Sequence, residues 1–206
     1  MTSRLADSAP VYGRLPWPLN LKSRGLVTDT IFELFLDQAT MLEAESQLLS
    51  RGVDCLPALE SLLKGEAKNR FGVPYLQLGL PLRCALEVAI RLGPVAKPLE
   101  PHLREQLRRG NHTAAMALRS LGTLEPDSII QLAVSLEGGL DLAMESASAL
   151  LACGEASHPA VLEAAARSKA AASMLERVSA HRKQDRKYVR PGAPPDAPSL
   201  TPPRGR

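Results

Sequence analysis

Apolar residues recur along this chain with the three-to-four-residue spacing of one helix face. Leu82, Ala85, Leu86, Ala89 and Ile90 make one such stripe, with Arg83, Glu87 and Arg91 spaced along the opposite side where they can pair. A second stripe is Ala114, Ala117, Leu118 and Leu121, with His112 and Arg119 outside it. A third is Leu140, Ala143, Ala147 and Leu150, with Asp141, Glu145 and Ser148 outside. The full pattern predicts helices near 28–36, 39–51, 55–64, 82–92, 97–109, 112–121, 127–137, 140–152, 158–167 and 169–180.

The punctuation between these stripes repeats. Gly52, Gly93, Gly122 and Gly154 each follow an alanine- or leucine-rich helix, and Pro57, Pro98, Pro126 and Pro159 stand four or five residues later. Glycine accepts the left-handed conformation that closes a helix, and proline fits the first turn of the next, where a missing N–H costs nothing. Together they mark tight helix–helix corners. The intervals between the glycines suit a row of helical hairpins, with an insertion in the longest.

Composition fits that reading. Aromatics make up 3% of the 206 residues, so buried contacts rest on small and aliphatic side chains, which favours closely packed helices over strands. The formal charge of +3 is uneven: residues 181–206 hold seven Lys or Arg against two Asp, a net +5, which leaves −2 for the rest. A near-neutral body lacks the basic face that meets nucleic-acid phosphates. Cys55, Cys84 and Cys153 are odd in number and set among apolar neighbours, which predicts buried thiols in a reducing compartment. With no apolar export segment in the first twenty residues and no run long enough to cross a bilayer, the expectation is a cytoplasmic protein without a membrane span. Asn111-His112-Thr113 matches the glycosylation pattern by chance on that reading.

Leu56-Pro57-Ala58-Leu59-Glu60-Ser61-Leu62-Leu63 and the run from Leu82 to Gly93 resemble HEAT-like repeats, and more loosely the alanine-rich bacterial repeats related to phycobilin lyases. The resemblance covers about residues 28–180 and departs from the family at 65–81, where a longer connection replaces a short corner. It implies an all-α fold, an α–α superhelix of about four to five helical hairpins. The predicted layout is a cap or extended segment over 1–27, the repeat domain over 28–180, and a disordered Pro/Arg-rich tail over 181–206. Val11, Tyr12, Leu15, Trp17 and Leu19 are the apolar residues of the cap.

Catalytic chemistry has no motif here. The four histidines lack metal-site spacing, and His102 and His158 lie at helix starts, where capping is their ordinary role. No cofactor or metal is expected, and the chain is read as a non-enzyme whose partner is another protein. Two places carry that expectation. One is the 66–81 connection with Arg70, Phe71 and Tyr75, which either faces a partner or packs its apolar residues back on the helices. The other is the ridge of successive second helices: Arg83, Glu87, Arg91, His112, Met116, Arg119, Glu145 and Ser148. An immunity- or antitoxin-type inhibitor and an assembly subunit both fit such a module. Rival readings are a nucleic-acid-binding or DNA-repair HEAT-like protein, and a lyase or chaperone for a cofactor-bearing protein.

Overall fold

A computed structural model describes residues 31–188, with side chains to Gln184. The expected N-terminal cap and the end of the expected tail lie outside the described residues. Residues 31–33 are helical and run into a 3₁₀ turn at Leu34–Leu36. Among the described residues nine α-helices follow: α1 Met41–Arg51, α2 Leu56–Lys64, α3 Gly79–Leu92, α4 Glu100–Arg108, α5 His112–Ser120, α6 Pro126–Ser135, α7 Leu140–Ala152, α8 Pro159–Arg167 and α9 Lys169–Tyr188. Among the described residues the chain is all-α; the nearest thing to a sheet is an isolated bridge between Lys68 and Pro74.

The helices pack in two rows. α1, α3, α5, α7 and α9 each touch the next in that series, and α2, α4, α6 and α8 do the same, while α2 with α3, α4 with α5, α6 with α7 and α8 with α9 pack across the rows. The packed seams are those the periodicity marks. Ala85, Leu86 and Ala89 of α3, Ala114, Ala117 and Leu118 of α5, and Ala143, Ala147 and Leu150 of α7 are all buried. Each fully buried leucine contributes roughly 1.5–3 kcal/mol, and the alanines let helix axes approach. Leu140 is the exception: it stands at the exposed start of α7 and points to solvent.

All four glycine corners fall at the same end of one row. Gly52 and Gly93 close α1 and α3 directly, and Gly122 and Gly154 follow α5 and α7 by two residues. Each has a positive φ. The prolines do what the spacing implies, with Pro57, Pro126 and Pro159 in the first turns of α2, α6 and α8. At the second corner Pro98 lies in a 3₁₀ stretch, Gly93–Leu99, and Pro101 takes the helix-start position instead.

Connections in the other direction are short except one. Ser168 alone separates α8 from α9, whereas residues 65–78 separate α2 from α3 and account for the longest glycine interval. Within this connection Asn69 folds a tight hairpin: its Oδ1 accepts from the N–H groups of Phe71 (2.9 Å) and Val73 (3.0 Å). Gly72 at φ +77° completes the turn. The chain leaving the hairpin then delivers Tyr75 to the interior, its N–H donating to the Ala67 carbonyl and its ring 5.5 Å from that of Phe32.

The C-terminal boundary of the helical region differs from expectation. α9 continues through His181 to Tyr188, so Arg182 and Lys183 belong to a helix rather than to a disordered tail. Its Ala171 is buried and Met174, Leu175 and Val178 pack on the core, which anchors the helix from which the basic segment extends. Asn111 is used as the N-cap of α5, its side chain accepting from the Thr113 N–H at 3.0 Å.

Candidate binding face

The row α1–α3–α5–α7–α9 positions most of the charged residues singled out in the sequence. Arg119 of α5 reaches across to α7, donating to Ser148 Oγ at 2.7 Å and pairing with Glu145 at 3.3 Å. Arg91 of α3 does not pair along its own helix; its guanidinium lies 3.9 Å from Glu45 of α1. Glu45 is itself buried, beside the Cys84 thiol, which is pushed up to about 12 first by burial and then by its contact with this carboxylate. Arg83 and His112 are exposed and Glu87 is half-buried. None of these three takes part in an ion pair among the described residues, so the ridge is a pair of cross-helix links rather than one continuous network.

The 66–81 connection divides between its two readings. Tyr75 is fully buried against Phe32 and is therefore corrected from a partner-facing residue to a core residue. Arg70 and Phe71 stay at the hairpin tip, Phe71 at 75% exposure with the Arg70 guanidinium 4.8 Å from its ring centre. This exposed cation–aromatic pair is available to a partner, as are the exposed Lys68 and Gln77 of the same connection.

A concavity beside Glu145 and Ser148 was not marked as such by the sequence. A groove of about 310 Å³ runs between α7 and α9. Met144, Glu145 and Ser148 line it from α7, and Met174, Arg177, Val178, His181 and Arg182 line it from α9. Beyond Arg182 a second hollow of about 150 Å³ is lined by Leu151, Ser179, Arg182 and Lys183. The Arg182 guanidinium, which also donates to the Ser148 carbonyl at 3.5 Å, stands at the divide. The signal was present as Met174 and Val178 at i, i+4 on α9, but only the docking of α9 against α7 turns that pair into a groove wall.

Elsewhere the polar side chains hold the fold. His158 Nδ1 accepts from the Ala160 N–H and caps α8, and His102 lies 3.4 Å from Glu60. Arg104 of α4 pairs with Glu125 at the start of α6. Among the described residues no group of three or more His, Cys, Asp or Glu could hold a metal ion, and no helix is long and apolar enough to cross a membrane. The three cysteines are unpaired, and burial pushes the Cys55 and Cys153 thiols up as well as that of Cys84. This is opposite to the shift an attacking thiolate needs. No known protein family, curated protein or solved structure matches this chain.

Proposed function

We propose that this chain is a HEAT-like α–α superhelix of four helical hairpins, α2–α3, α4–α5, α6–α7 and α8–α9, preceded by α1, and that it works as a non-catalytic protein-binding module. The alternation of two helix rows and the recurrence of the glycine corners at one end of one row support the superhelical reading. The binding reading rests on the α7–α9 groove, where an apolar floor meets charged side chains on the row that also carries Arg119 and Glu145. Methionine is unbranched and polarisable, so Met144 and Met174 suit a surface that adapts to a partner's side chains. The unpaired thiols fit a reducing compartment such as the cytoplasm.

The test is affinity capture from the native source with the full chain as bait, followed by methionine-oxidation footprinting of the recovered complex. Binding through the groove protects Met144 and Met174 relative to the free chain. A specific partner that leaves both methionines as reactive as before would move the site elsewhere. A folded bait that recovers no specific protein would overturn the binding reading itself.

A further inference from the structure

The chemistry of the α7–α9 groove narrows the class of partner. Its floor is apolar, from Met144, Met174 and Val178, and asks for an apolar side chain. Its charged lining is unbalanced. Glu145, the one carboxylate in the lining, already faces Arg119 across α5 and α7. Arg177 and Arg182 lie in the lining with no carboxylate paired to them among the described residues, and Lys183 adds a third cation at the adjoining hollow. Asp141 and Glu176 belong to the same two helices but not to the lining.

We propose that the groove takes an acidic segment of a partner protein, with an apolar side chain on the Met144–Met174–Val178 floor and flanking carboxylates on Arg177 and Arg182. This rests on the protein-binding reading and specifies its partner. Arg182 separates the two hollows, which places a carboxylate between two seated side chains of the segment. Guanidinium is suited to that contact because its planar donors match a carboxylate in pairs. A nucleic acid would satisfy the cations but offers its phosphates nothing to set against a methionine and valine floor.

Fluorescence anisotropy on the full chain with two labelled peptides tests this. Both have leucines at helical spacing; one carries glutamates at the remaining positions and the other lysines. The expected result is saturable binding of the glutamate peptide, at least about tenfold tighter than the lysine peptide, weakening as salt is raised. The double variant Arg177→Glu with Arg182→Glu reverses the preference, and its circular dichroism matches the parent. Arg177→Glu alone, at an exposed position, gives a partial loss and guards against misfolding of the double variant. Equal or tighter binding of the lysine peptide overturns the acidic assignment and leaves the protein-binding reading standing. Absence of binding by both peptides also overturns it, while footprinting of the captured complex still judges the broader reading. Displacement of the glutamate peptide by a duplex oligonucleotide at matched charge overturns both.

Discussion

The carboxylate of Glu100, fully buried at the start of α4, accepts a hydrogen bond from the backbone N–H of Glu125 at 2.7 Å. It thereby ties the first turn of one second-row helix to the N-cap of the next. Lys97 completes the clamp, its Nζ 2.5 Å from the second carboxylate oxygen and donating to the Thr123 carbonyl at 2.8 Å. A buried charge is tolerated here because a backbone donor and a cation meet it together. Glu100→Gln keeps the shape but removes the charge and leaves a buried amide donor to satisfy. Its expected cost is about 1.5–3 kcal/mol in urea unfolding. A loss within the scatter of surface substitutions would show that Lys97 and Thr123 hold the corner without the carboxylate.

The two aromatics of the long connection have opposite roles and should respond oppositely to truncation. Tyr75→Ala removes a ring packed on Phe32 in the interior and is expected to cost about 3–5 kcal/mol. Phe71→Ala, at the solvated tip, should stay within about 0.5 kcal/mol of the parent. Thermal unfolding of the two variants measures the contrast directly. Comparable destabilisation by both would mean that the tip packs on something beyond the described contacts.

Cys84 gives a pH dependence with a definite sign. Its thiol is held at about 12 in the folded chain by burial and the neighbouring Glu45, against 9.0 for the ordinary group. Below about pH 9 both folded and unfolded chains keep the proton, and the site adds no pH dependence. As pH rises from there towards 12, the unfolded chain releases a proton that the folded chain retains, so stability falls. The parent should therefore lose more stability than Cys84→Ala between about pH 8 and about pH 10 in paired denaturant titrations. Parallel losses in the two proteins would place the thiol in a more solvated setting than the one described.

How much of this was legible in the sequence depends on whether a feature is local. The corners were, because glycine and proline act through their own backbone geometry, and Gly52, Gly93, Gly122 and Gly154 all fall where their spacing put them. The buried faces of α3 and α5 were legible for the same reason, since helical periodicity is a property of one segment. Phe71 and Tyr75 could not be told apart, because both are aromatic and four residues apart; the Asn69 hairpin decides which one turns inward. Leu140 has the composition of a core residue, yet it precedes the stretch of α7 that its neighbours cover. The basic run after Ala180 hid the continuation of α9, whose order comes from Met174 and Val178 packing on the core. The groove itself exists only between two helices and has no counterpart in either one alone.

The first two corners share a backbone conformation that only glycine adopts readily. Gly52 stands at φ 55°, ψ −124° and Gly93 at φ 59°, ψ −132°, each ending a first-row helix and opening a 3₁₀ stretch that leads into a second-row helix. An alanine at either site strains the backbone by about 1–3 kcal/mol. The surroundings differ. A Cβ at Gly52 meets nothing within 4 Å, while at Gly93 it sits 3.5 Å from the Ser120 carbonyl oxygen, an ordinary contact. Gly52→Ala and Gly93→Ala are therefore expected to cost similar amounts, since dihedral strain and not crowding sets the penalty. Gly139 is the control: it caps α7 at φ −61° with open space around it, so Gly139→Ala should change stability by only about half to one kcal/mol. Urea unfolding of the three variants separates the effects. If Gly139→Ala cost as much as the other two, helix-end dihedrals would not be what fixes the corners. If Gly93→Ala alone were severe, contact between successive corners would carry the turn.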